Sequence, residues 1–360
     1  MTIRKIDGDA YFAASNSAQG FYSYYTQCFD SPRVKHVFAV KGGPGTGKSR
    51  FLREVADLAR TRGREIEYIY CSSDPDSLDG VILTGKDDCI ALLDATAPHI
   101  YEPARPGVRE DIVHLGTFWD REQLWAHAEE IEALNTQKSE AYRQAYRYLA
   151  CLGEMTRTRD ELIAPFVRHE AISRFADRLI RDIPNGEGYE EQTALMSSIG
   201  MRGEVFFDTY LKEENTVYLI EDCRGCAQYL TAQLYRLAKQ KGLQIRVSHD
   251  PVMPQKLDAI LLCDFKIAFV VAPPCVCDQP CRILGMRRFV DTAEVKSIRE
   301  VLNRTEAMRR ALLKGATERL ERVREAHFRL ESIYMSAMDF DAKEKFTKSF
   351  CDALFDLQNS

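Results

Sequence analysis

The stretch that most constrains this chain's fold is Lys41-Gly-Gly-Pro-Gly-Thr-Gly-Lys-Ser49, which follows the apolar run Val37-Phe-Ala-Val40. Downstream, Arg50-Phe-Leu-Arg-Glu-Val-Ala-Asp-Leu-Ala59 carries helical periodicity, so the segment predicts a strand, a tight loop and a helix in succession. Gly42, Gly47, Lys48 and Ser49 fit the spacing G-x-x-x-x-G-K-[ST], in which converging backbone N–H groups and a helix N-terminus hold a phosphate. The pattern predicts phosphate contacts from Gly42, Gly43, Pro44, Gly45, Thr46, Gly47, Lys48 and the adjoining Arg50. Ser49 is the predicted Mg²⁺ ligand.

A repeat extends the constraint to the whole chain. Val37-Phe-Ala-Val40 is answered by Val217-Tyr-Leu-Ile220, Leu78-Asp-Gly-Val-Ile-Leu83 by Leu257-Asp-Ala-Ile-Leu-Leu262, and Ile90-Ala-Leu-Leu-Asp94 by Ile267-Ala-Phe-Val-Val271. The spacing drifts only slightly, as short loop insertions in a duplicated domain produce. The expectation is an α/β protein of two tandem P-loop NTPase-like domains with parallel sheets, residues 1–184 and 185–360, each ending in a long helical region. The second copy of the loop, Glu221-Asp-Cys-Arg-Gly-Cys-Ala, keeps Gly225 but lacks the Gly-Lys-Ser ending, so it is expected to be degenerate. Glu221 and Asp222 there would also repel a triphosphate.

The helical regions run from about Asp120 to Arg181 and from about Thr292 to Leu357, with apolar residues three and four apart. Pro165 and Pro184 should interrupt the first, because proline removes a helix hydrogen bond. Helical hairpins packed on their own cores are expected, with dimerisation or partner contact as the alternative.

Charged residues make up 29% of the 360, and the net charge is −5, so no global basic field points to nucleic acid. Arg287-Arg288 and Arg309-Arg310 sit among acids and read as solvated faces. No stretch reaches the ~18 to 20 apolar residues of a membrane helix, and the N-terminus lacks a secretion core, so a cytoplasmic protein is expected. Eleven cysteines in such a chain argue for reduced thiols or metal ligands. Cys223 and Cys226, with Cys275, Cys277 and Cys281, are candidates for a zinc or iron–sulfur site, although their spacing is not that of a zinc ribbon.

Asp94, ending an apolar strand, is the candidate anchor for the water shell of Mg²⁺. Its neighbour is Ala95, which leaves no second acid to polarise water, so His99, Asp74, Asp76 and Asp79 are the candidate substitutes. Cys71-Ser-Ser-Asp-Pro-Asp-Ser-Leu-Asp-Gly80 follows the strand Ile66-Glu-Tyr-Ile-Tyr70 and would stand beside the phosphates at the carboxyl ends of the strands. An ordinary turn capped by Asp74 or Ser77 is the alternative. Arg105 and Arg109 are candidates to neutralise phosphate charge.

These strings, with Phe12-Ala-Ala-Ser-Asn16, Gly20-Phe21, Leu93-Asp-Ala-Thr-Ala-Pro-His99 and Leu115-Gly-Thr-Phe-Trp-Asp120, run nearly the length of the chain. Together they give a chain that resembles a family of bacterial ATP-binding proteins built from tandem P-loop NTPase domains. The resemblance implies ATP binding through Gly42 to Ser49, and active-site roles for Ser72 to Gly80 and Asp94 to His99. Family members often carry a second recognisable loop, and this chain departs there. Gly-Gly-Pro-Gly-x-Gly-Lys also looks like the loop of adenylate-kinase-type enzymes. The leading expectation is an Mg²⁺-dependent ATPase or ATP-operated switch in which Lys48, Asp94, Asp74 and His99 carry the chemistry. The alternatives are a nucleotide or small-molecule kinase with its acceptor, and a nucleotide-stabilised scaffold for a protein partner.

Overall fold

A computed structural model describes residues 2–6, 8–99 and 101–356; Leu357, the expected end of the second helical region, lies outside them. The first half contains strands β1 (Asp9–Phe12) and β2 (His36–Lys41), helix α1 (Lys48–Thr61), and strands β3 (Glu65–Tyr70), β4 (Leu78–Thr84), β5 (Cys89–Asp94) and β6 (Glu110–His114). Two helices follow, α2 (Ala128–Ile163) and α3 (His169–Ile180). The second half repeats the series with β7 (Glu190–Thr193), β8 (Thr216–Glu221), α4 (Ala227–Gln240), β9 (Gln244–His249), β10 (Leu257–Leu262), β11 (Ile267–Val271), β12 (Arg282–Gly285), α5 (Arg299–Ser336) and α6 (Phe340–Asp356).

The two six-stranded sheets have the same strand order, β1-β3-β4-β5-β2-β6 and β7-β9-β10-β11-β8-β12. They share even a register shift, at Ile69/Tyr70 in one and Ser248/His249 in the other. The fold is α/β, but its sheets are mixed rather than parallel as the sequence led us to expect. β4 runs antiparallel to β3 and β5, and β10 antiparallel to β9 and β11. Connector length is the reason, since the short links after Tyr70, Thr84, His249 and Leu262 cannot hold the crossover a parallel neighbour requires. β2 remains parallel to both β5 and β6, so its carboxyl end opens beside Asp94.

The helical hairpins do not pack on their own cores. α2 and α5 lie antiparallel, with Leu134 against Ala326 and Leu330, and Ala145 and Leu149 against Ala316 and Leu320. A helix of 36 residues is about 54 Å long, enough to cross from one sheet to the other. Each long helix therefore delivers the helix that follows it to the opposite half. Ile172, Ala176 and Ile180 of α3 join Leu230, Leu234 and Ala238 in the second core, while Cys351, Leu354 and Phe355 of α6 join the first. Phe350 stands 5.1 Å from Phe38 and 5.2 Å from Phe51, ring to ring. Pro165 marks the first break as expected, in the turn Ala164–Phe166. The matching break before α6 has no proline, and Asp339 caps the new helix by accepting from the Ala342 amide at 2.9 Å.

A buried ion pair also ties the halves together. Arg246 on β9 reaches Glu67 on β3 at 3.1 Å, and Arg33 grips the same carboxylate at 2.9 and 3.0 Å. No helix among the described residues is long and apolar enough to cross a membrane.

Candidate active site

Between β2 and α1 the chain turns through Gly45 and Gly47, with φ of +70° and +76°, values that only glycine adopts without strain. The loop is braced from several sides. Thr96 donates its hydroxyl to the Gly42 carbonyl at 2.8 Å and accepts the Gly42 amide at 3.3 Å, while Thr46 bonds the Gly43 carbonyl at 2.9 Å. Lys48, at the head of α1, curls back to donate to the carbonyls of Gly42 and Gly43 at 2.8 and 2.7 Å. Its ammonium lies 3.5 Å from Asp94. Strand pairing brings the start of the loop beside Asp94, because Val40 and Asp94 are partners in neighbouring parallel strands. Burial raises the Asp94 pKa, and Lys48 works against the rise.

Ser49 accepts a hydrogen bond from the Leu78 amide at 2.9 Å, so the Cys71–Gly80 connector sits directly beside the loop. Asp79, the second residue of β4, faces His99 at 3.1 Å, and both are buried. Burial pulls the His99 pKa down, but the charge and hydrogen bond of Asp79 outweigh it and the net shift is upward. Tyr25 stacks flat on the imidazole at 4.9 Å and Phe21 meets it edge-on at 5.3 Å, which fixes the ring plane. The other ring nitrogen, Nδ1, is buried without a partner. Cys71 completes a trio with Asp79 and His99 whose ligand atoms lie within 4.8 Å of one another, the one metal-capable trio among the described residues.

Other candidates fall elsewhere. Asp74, whose side chain is only 14% exposed, lies 3.9 Å from Arg202, and Asp76 pairs with Arg4 and Arg202. Those two acids tie the connector to the second half. Arg50 turns outward, with a side chain 71% exposed and paired to Glu54 one turn on. Arg109 pairs with Asp30 and Glu110, and Arg105 with Glu110, at the start of β6 and so at the opposite end of the sheet from the loop. A phosphate role for these two arginines is thereby overturned. The five thiols do not converge either: Cys223 and Cys226 belong to the second core, while Cys277 and Cys281 pack against the first. All eleven cysteines are free.

Sequence reasoning missed the roof. Gly43 lies under Trp119 and Tyr334, since a Cβ there would come within 3.2 and 3.1 Å of them, and a Cβ on Gly45 would come within 2.5 Å of the Glu331 carbonyl on α5. From α2, Tyr142 donates to Ser73 at 2.8 Å, closing the connector's side.

In the second half the equivalent loop is filled by the protein itself. Asp222 accepts from the amides of Gly225 at 2.7 Å and Ala227 at 2.8 Å, placing a carboxylate where the helix N-terminus would otherwise meet an anion. Arg159 and Asp160 of α2 press on Gly225, within 2.5 and 2.3 Å of an added Cβ. The adjoining cavity of about 330 Å³ is lined by Asp222, Asp250 and Asp258 together with Arg159, Lys256 and Arg309, so charges of both signs meet there.

Comparison with family models, with curated proteins and with solved structures returned no match, so the functional reading stands on these residues.

Proposed function

We propose that the chain is an Mg²⁺–ATP-binding protein with one competent site, in the first half, and that it hydrolyses ATP as an ATPase or ATP-operated switch. The observation that carries this reading is the meeting of Lys48 and Asp94 at the mouth of a braced glycine loop that opens a helix. In this reading the loop amides and Lys48 hold the β- and γ-phosphates. Ser49 and Asp94 are the residues that would hold Mg²⁺, the first directly and the second through water, and the ion would offset the phosphate charge. Positioning and fixed charge then supply the catalysis, with no covalent intermediate.

The Asp79–His99 pair stands in for the missing acidic neighbour of Asp94. A buried imidazole oriented by a carboxylate is suited to accept a proton from an attacking water. Asp74, held near Arg202, positions the connector instead. A kinase is the second reading, favoured by the roof of α2 and α5, which would enclose an acceptor hydroxyl as readily as a water. The eleven free thiols agree with a reducing compartment, and we place the protein in the cytoplasm.

The test is ADP release from Mg²⁺–ATP by the purified protein beside Lys48→Ala, Asp94→Asn and His99→Ala. The ATPase reading expects acceptor-independent turnover that the first two variants abolish, and that His99→Ala slows by about 100-fold or more while ATP still binds. ATP binding without turnover would favour the kinase. Unchanged turnover in Lys48→Ala would remove the site altogether.

A further inference from the structure

Of the lysines at the glycine loop, three have carboxylates. Lys41 lies 2.8 Å from Glu102, Lys48 lies 3.5 Å from Asp94, and the buried Lys343 of α6 lies 3.4 Å from Glu54. Lys138 of α2 is different. It is partly buried and has no hydrogen-bond or ion-pair partner among the described residues. It stands one turn before Tyr142, whose hydroxyl is fixed to Ser73 on the connector beside the loop, so the same helix face carries Lys138 toward the site. Burial lowers its pKa, and the charged neighbour that lowers it further is Lys48, another ammonium.

The repeat supplies an internal comparison. Lys138 and Arg309 occupy the same place, ten residues into helices that begin at Ala128 and Arg299. The equivalence is supported by Ala145 with Ala316 and Leu149 with Leu320, which pair in one cluster where the helices cross. Arg309, expected from the sequence to lie on a solvated face, is instead only 23% exposed and is held by the protein: it bonds Thr156 at 3.0 Å and Glu306 at 2.8 Å. Thus the half whose loop is filled by Asp222 satisfies its helix-borne cation internally, and the half whose loop carries no such carboxylate of its own leaves its cation unpaired. A half-buried cation facing a second cation is unfavourable unless an anion comes between them.

We propose that Lys138 is a ligand of the terminal phosphate of a nucleoside triphosphate, delivered from α2, so that the site distinguishes triphosphate from diphosphate. This rests on the nucleotide reading above and extends it to the long helices. α2 and α5 run against each other between the two sheets, so a phosphate contact at Lys138 gives the helix pair, and through it the second half, a direct response to the presence of the γ-phosphate.

The experiment is equilibrium binding of Mg²⁺–ATP and Mg²⁺–ADP to wild type, Lys138→Met and Lys48→Ala at one ionic strength, with urea unfolding of the unliganded proteins. Methionine keeps the apolar stem and removes the charge. The proposal expects wild type to prefer ATP by about tenfold or more, the worth of one charge-assisted hydrogen bond, and Lys138→Met to lose that preference. ADP affinity should stay unchanged, and the unliganded variant should be at least as stable as wild type. A Lys138→Met protein with the wild-type ATP preference overturns the Lys138 assignment while Lys48-dependent binding stands. Absence of any nucleotide binding by wild type removes both.

Discussion

The contact between the glycine loop and α5 can be tested by a single methyl group. Gly45 has φ of +70°, and an added Cβ would lie 2.5 Å from the Glu331 carbonyl oxygen and 3.0 Å from Met335 Cγ. A non-glycine residue in the left-handed region costs about 1–2 kcal/mol. The clash adds roughly 1–3 kcal/mol as overpacking, because the nearest atom is helix backbone and cannot swing aside. Gly63 supplies the control: its φ is +79°, but nothing lies within 4 Å of an added Cβ, so only the conformational cost applies. In urea titrations Gly45→Ala should lose about 2–5 kcal/mol and Gly63→Ala about 1–2 kcal/mol. Equal losses in the two variants would mean that α5 does not lie on the loop, and the exchange of helices between halves would lose its main support at the site.

Other outcomes follow from the same packing and electrostatics. Phe350→Ala should destabilise the first half by about 3 kcal/mol, the low end for phenylalanine because the ring is only partly buried, read as lost hydrogen-exchange protection in β2 and α1 although the mutation lies in the second half of the chain. Burial would raise the Glu67 pKa, but Arg246 and Arg33 outweigh it and lower it to about 2. The pair's contribution is therefore present above the ordinary value of 4.5 and is lost as pH falls toward 2. Glu67→Gln should cost about 3–5 kcal/mol at neutral pH and flatten that acid limb in an unfolding series. His99 has the opposite sign: with its pKa raised, its contribution is complete below 6.5 and disappears as pH rises through the folded value. Stability measured across neutrality should fall with pH in wild type and lose that slope in His99→Gln.

Which features were readable from residues alone follows from their range along the chain. The glycine loop, Asp94 and the repeat are local strings, and the structure gives them the strand, loop and helix their periodicity implies. The antiparallel β4 was also readable in principle, from the short link between Tyr70 and Leu78, but the expectation of parallel sheets passed over it. The exchange of α3 and α6 was not readable. An amphipathic pattern such as Ile172, Ala176 and Ile180 states that a face is buried, not which core buries it. The Asp79–His99 pair and the approach of Lys138 likewise join positions that no periodicity links. Proximity in the list of cysteines misled for the converse reason, since Cys226 and Cys277 follow neighbouring strands yet pack on opposite cores.

The central claim is that a duplicated chain holds one nucleotide site, and stoichiometry tests it most directly. Equilibrium dialysis of saturating Mg²⁺–ATP against wild type, Lys48→Ala and Asp222→Ala should give one nucleotide per chain in wild type, none in Lys48→Ala and one in Asp222→Ala. Two nucleotides per chain, or one that survives Lys48→Ala, would contradict the account and move the site to the half that Asp222 and Arg159 are held here to close.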